Sequence, residues 1–244
     1  MKSNFNCGID YAVAGIGDFY RNPFLWKYVV VPWLVLSVLY ISTFTAICRY
    51  LTPYISEKIT QVLSGSIWAS FSGTLGTILI VLVWIMTILF LALSSNCIFE
   101  ITGALFFPRM IREYERKILG LDLPPLKPGE IIRNMFDSFG LSLTIIFCFI
   151  LLSLLILVLP LIGFIIFIVL MGYLYSMMFM SEACFNRKCR LSDIKYIFIR
   201  KKGMMYGFGT FAFFLLQIPL LSLFLYPGFM LGGSRMFHTE IYRM

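Results

Sequence analysis

The segment with the most chemical promise is Arg21-Asn22-Pro23-Phe24-Leu25-Trp26-Lys27. Asn is a favoured helix N-cap and Pro a favoured first helical residue. A helix beginning here leaves backbone N–H donors unpaired at its positive end, which is an anion-binding geometry. Arg21 and Lys27 would add charge on either side. The expected anion contacts are therefore the backbone amides of Phe24 and Leu25, with Lys27 or Arg21 supplying charge. The same residues also describe an ordinary capped membrane helix with snorkelling basic and aromatic anchors, and both readings fit the pattern.

Other chemistries lack their residues. Intramembrane hydrolysis needs paired carboxylates or metal ligands within the bilayer, and proton-coupled pumps usually show an Asp, Glu or His there. The long apolar runs carry none near their middles; Glu100 and Glu182 follow such runs and are expected at the interface. No Walker-type glycine loop is present, so any transport would be facilitated or driven by an ion gradient. Cys7, Cys48, Cys97, Cys148, Cys184 and Cys189 form no CxxC pair, and His238 is the single histidine. Neither a disulfide framework nor a metal site is expected, and the cysteines read as small buried hydrophobes. No catalytic residues, no cofactor and no enzymatic activity are expected.

The elements that must position the Arg21–Lys27 segment follow from composition and charge spacing. Of 244 residues, 60% are apolar and only 13% charged. A soluble domain averages about 25% charged and could not hide so much apolar surface. The fold class expected is an all-α integral membrane protein in a single membrane domain, with two long transmembrane helices plus two proline-broken helical hairpins, at least one of them only partly penetrating the bilayer.

Residues 8–20 place Ile9, Ala12, Val13, Ile16 and Phe19 on one helical face, as an interfacial helix would. Residues 28–48 are charge-free and long enough, at 1.5 Å per residue, to cross one hydrocarbon core. A second span is expected over 74–95, preceded by a small, polar stretch. Residues 103–135 read as a cytoplasmic amphipathic helix ending near Gly120, then a proline-rich loop. Residues 138–181 form a hairpin with its tip at Pro160–Gly163, and 187–202 a basic cytoplasmic segment. Residues 203–234 form a second hairpin broken at Pro219, too short for two full crossings at roughly 20 residues each. The two Pro-centred tips are either an internal repeat or two unrelated proline-broken helices.

The formal net charge of +8 points to anionic lipid headgroups and topology signals rather than nucleic acid. If both hairpins return to the side they left, 18 of the 20 Lys and Arg residues share one side. By the positive-inside rule that side is the cytoplasm, with both termini in it. No cleavable leader is expected, because the first 22 residues contain Asp10 and Asp18 and no continuous apolar core.

Several segments in order carry a family likeness. They are Gly8-Ile9-Asp10-Tyr11 running to Pro23 and Val29-Val30-Val31-Pro32-Trp33-Leu34; Asn96 to Gly120; Phe185-Asn186-Arg187-Lys188 with Arg200-Lys201-Lys202; and Gly207-Phe208-Gly209 with Ile218-Pro219-Leu220-Leu221, Pro227 and Gly232. Over nearly its whole length the chain resembles the CysZ family of sulfate permeases. The resemblance implies a homo-oligomeric helical protein of the inner membrane that conducts sulfate inward for cysteine synthesis. It also implies a sulfate segment, Gly-Leu-Arg-Arg in the family and Phe24-Leu25-Trp26-Lys27 here. Leu25 is kept and Lys27 preserves a charge, while Phe24 replaces the glycine and Trp26 an arginine. The expected function is a CysZ-like transporter or channel for a small anion, with sulfate the candidate; the alternative is a non-transporting membrane scaffold that shares the fold.

Overall fold

The computed structural model describes residues 4–63, 74, 76–78, 80–85, 87, 99, 102–103, 106–125, 128–189, 194, 196, 199–218 and 221–240. Every regular element among them is helical. Helix α1 covers Asn4–Arg21. A 3₁₀ turn, Pro23–Tyr28, leads into α2, Val30–Ala46. Helix α2 runs on through a widened turn at Ile47–Leu51 into α3, Thr52–Leu63. The widening has a local cause. Pro53 has no N–H for the carbonyl of Arg49 and its ring crowds that carbonyl, so the preceding turn relaxes to i→i+5, with the Thr52 amide bonding Ile47.

Helix α4 is Phe107–Lys117, and the chain turns away at Gly120 with φ +64°, a left-handed value that glycine takes without strain. Helix α5, Pro128–Val158, and α6, Pro160–Asn186, are joined through the extended Leu159 alone. Proline at the first position of α6 costs no hydrogen bond and sets the helical φ. The hairpin closes tightly because Gly163 lies where a Cβ would meet Ile156 Cα at 2.9 Å. Helices α7, Lys202–Leu216, and α8, Leu221–Glu240, form the last pair.

Three helical stretches among the described residues are long and apolar enough to cross a bilayer: Val30–Lys58, Ile132–Ile156 and Pro160–Asn186. They are not equivalent. Half of the α6 window is buried, against 17% for α2–α3 and 22% for α5. Helix α6 is therefore the central post, and the other two present Leu34, Val38, Ile41, Phe147, Ile150 and Leu154 outward to lipid. The chain is an all-α membrane protein. Half of the span expected over 74–95 lies outside the described residues; in the other half Gly76–Ile85 is a shorter apolar helix. The tip of the last hairpin at Pro219 and much of 187–202 also lie outside them.

Helix α1 packs into a cradle made by α7 and α8. Its buried face is Gly8, Ala12, Gly15 and Phe19, whereas Val13, expected on that face, is 52% exposed. The physical reason is closeness. A Cβ on Gly15 would overlap the backbone nitrogen of Gly232, so small residues admit two backbones where branched ones could not. Helix α1 runs antiparallel to α8: Tyr11 meets Glu240, Asp18 meets Arg235, and Tyr20 meets Phe224. Phe179, Phe208, Tyr226 and Phe229 interlock in edge-on and tilted contacts where α6, α7 and α8 meet.

Candidate functional site

The segment after α1 forms a 3₁₀ turn rather than the first turn of an α-helix. Asn22 directs its side-chain amide back to the carbonyl of Asp18 at 2.7 Å, so it does not cap the turn. The Leu25 amide donates to the Asn22 carbonyl at 3.0 Å, and the Leu25 side chain is fully buried. Trp26 Nε1 donates to the carbonyl of Phe19 at 3.2 Å, closing the corner against α1. Arg21, at the end of α1, is exposed.

Lys27 turns toward α4. Its Nζ is 2.9 Å from Glu113 Oε2, an oxygen that also accepts from the Tyr28 hydroxyl at 2.5 Å. Lys117 Nζ bonds the other oxygen at 2.6 Å, one turn along the helix. These bonds, to Lys117 first and then Tyr28 and Lys27, hold the Glu113 carboxyl down to about 2 although burial opposes them. The same carboxylate raises the pKa of Lys27, which stays charged. Lys117 also lies 4.7 Å from the centre of the Phe24 ring, a cation–π contact.

Around this centre opens a cleft of about 410 Å³. Lys27 and Tyr28 form one wall, and the other is α4 with Arg109, Arg112, Arg116, Lys117 and Glu113. Helix α4 makes such a wall because its residues divide cleanly by periodicity. Phe107, Met110, Ile111, Tyr114 and Glu115 are buried, while Arg109, Arg112 and Arg116 recur on the opposite side at spacings of three and four. The lining therefore holds five cations against one carboxylate. Arg112 also donates to the carbonyl of Pro124, which ties the loop after α4 to the cleft.

Helix α4 is fixed from behind by two acids, the buried Glu115 and the partly buried Asp18. Glu115, with no exposed surface, accepts from Ser234 Oγ at 2.7 Å and Asn186 Nδ2 at 3.1 Å, and lies 2.9 Å from His238 Nε2. Asp18 Oδ2 accepts from the Tyr114 hydroxyl at 2.7 Å and from Arg235 at 2.9 Å. Burial and Asp18 raise the Tyr114 pKa, so its hydroxyl remains a donor. Among the described residues no cluster has the ligand set for a metal ion.

Of the residues expected from sequence, Lys27 reaches the cleft wall, Phe24 packs under Lys117, Leu25 is interior and Arg21 does not line the cleft. Arg109, Arg112 and Arg116 were legible only as topology charges, whereas the i,i+4 spacing of Glu113 and Lys117 announces the pair that the structure shows. The finer signal for the arginines was their spacing on one face of an amphipathic helix.

The pattern of the sulfate transporter CysZ/etoposide-induced protein 2.4 family matches residues 11–227, from Tyr11 on α1 to Pro227 inside α8. The chain belongs to that family. Curated proteins show no match to it. The family's matched region includes the Pro23–Tyr28 turn, the whole of α4, and the three helices that can cross a bilayer. The cleft is thus part of the family region and not an appendage to it.

Proposed function

We propose that this protein is a membrane transporter or channel that facilitates uptake of a small anion, sulfate being the first candidate, across the inner membrane. Membership of the family over residues 11–227 is the observation that carries the reading. The five basic side chains lining the cleft, Lys27 among them, support it, because a cation-rich surface concentrates anions. In this reading the protein is not an enzyme and needs no cofactor. It works as a homo-oligomer in a bilayer with anionic headgroups and has no nucleic-acid partner. Both termini face the cytoplasm. The Tyr11–Glu240 contact supports a shared side for the two ends, and the clustering of Lys and Arg supports the choice of side. The short α7, 15 residues and so about 22 Å long, supports a last hairpin that enters the bilayer part of the way.

The test is sulfate flux into proteoliposomes containing the purified protein, with Lys27→Ala alongside. Flux above that of empty vesicles, reduced by Lys27→Ala, is expected. A second reading, a non-transporting scaffold, is favoured by one observation: Lys27 is already bonded to Glu113, and Phe24 and Trp26 stand where the family pattern has glycine and arginine. Flux no greater than that of empty vesicles for sulfate and other small anions would establish the scaffold.

A further inference from the structure

We propose that the α4 cleft is a lipid site: Arg109 and Arg116 hold the phosphate of an anionic phospholipid headgroup where α2 enters the bilayer. The proposal rests on the membrane-spanning fold; it gives the cleft arginines to a lipid and leaves the transport reading standing on family membership.

Charge comes first. Lys27 and Lys117 are both engaged with Glu113, so the cleft's excess charge falls on the three arginines of the α4 stripe. Arg112 reaches the Pro124 carbonyl, whereas the exposed Arg109 and Arg116 have no bonded partner among the described residues. Their guanidinium groups, two turns apart on one helix face, offer paired N–H forks that suit phosphate oxygens.

Position comes second. Lys27 and Tyr28 line the cleft, and α2 begins at Val30, so the cleft lies at the level where the chain passes into hydrocarbon. The first turns of α2 expose Val30, Val31 and Leu34, which offers acyl chains a surface beside the headgroup. Tyr28 and the 39% exposed Trp26 are the residue types found at that depth. Free sulfate would meet the same arginines but gain nothing from the neighbouring apolar surface. A phospholipid uses both, and this favours the lipid over the soluble ion.

Native mass spectrometry of the detergent-purified chain can test this with phosphatidylglycerol and phosphatidylcholine of identical acyl chains. Phosphatidylglycerol should be retained in preference, and its retention should fall as salt rises. Arg109→Gln/Arg116→Gln should weaken it by roughly tenfold or more, since each basic group near a membrane surface contributes substantially. Arg49→Gln/Lys58→Gln removes the same charge at the far end of the α2–α3 rod and should leave retention unchanged. Inorganic sulfate and glycerol phosphate form the competing arm. Equal retention of the two lipids, or a cleft variant indistinguishable from the native chain, would overturn the proposal. So would displacement of the lipid by either soluble anion at about the same concentration as the lipid itself, which would make the cleft a free-anion site. If the double variant fails to give a monodisperse helical protein, the lipid comparison and its salt dependence on the native chain still decide. Sulfate flux is measured separately, so a failure here leaves the transport reading standing.

Discussion

Glu113 holds the two walls of the cleft together, and its titration gives that role a measurable signature. Its pKa is lowered from the usual carboxylate value to about 2 in the folded chain. A carboxyl held low stabilises the fold fully above its unfolded pKa, and the benefit is lost as pH falls from about 4.5 through about 2. Its lysine partners are half exposed, so the contribution is modest, about 1 kcal/mol. Thermal unfolding in detergent should show Glu113→Gln less stable than the native chain near about pH 6, with the gap closing near about pH 2 to 3. A gap that persists at low pH would show that the carboxylate's charge is not what joins the walls. At the same corner, Phe24→Gly with Trp26→Arg should tighten sulfate binding by roughly 1.5–3 kcal/mol if the new guanidinium gains a charged hydrogen bond. Calorimetry reads this directly, with Lys27→Ala as the opposing control; no change in either variant would place the anion elsewhere. The sequence showed the charge at Lys27 but not its partner. Glu113 is 86 positions away, and only the packing of α4 against the turn brings the two together. Asn22 was misleading for a related reason: its short amide serves either as a cap or as a donor to the preceding helix, and here it bonds Asp18.

The glycines decide how the elements meet. Gly15 and Gly232 sit at the crossing of α1 and α8, where an added Cβ on Gly15 would strike main-chain atoms of Gly228 and Gly232. Main chain cannot move aside as a side chain can, so Gly15→Leu should cost about 3 kcal/mol or more and lower the yield of folded protein. Gly17, two residues away, has nothing within 4 Å of its would-be Cβ. Gly17→Ala should be neutral or stabilising by up to about 1 kcal/mol. Size-exclusion profiles and unfolding temperatures of the two variants check the pair, and similar behaviour would mean that the crossing is loose. The apolar runs and their helical nature were legible, because charge-free length is a property of the chain alone. The seat of α1 was not. Its aliphatic residues give a convincing interfacial pattern, but small residues become the contact face only when another glycine-bearing helix lies opposite. Likewise Pro160 announced the turn between α5 and α6, whereas the widened turn before Pro53 carries no signal apart from the proline itself.

For the whole molecule, the proposed orientation can be read at the two ends of the α2–α3 rod. The cleft and the loop after α4 lie near the start of the rod, and Lys58 lies about 40 Å along it. In a background without native cysteines, Lys58→Cys should react with an impermeant thiol reagent in intact cells and Asp122→Cys should not. Labelling at Asp122→Cys would reverse the assigned orientation.

The partnership of α1 with α8 also governs how the chain is made. Tyr11 and Glu240 touch across a separation of 229 positions. At about 5–20 residues per second, roughly 10–50 s of synthesis pass between them. For most of that interval the glycine face of α1 is bare, because the helices that cover it begin only at Lys202 and Leu221. Closure of that long loop is the slow, non-local event expected to gate folding. A stall or truncation before α8 therefore leaves a chain with an open seam along α1, the kind of unfinished surface that membrane quality control can recognise and remove.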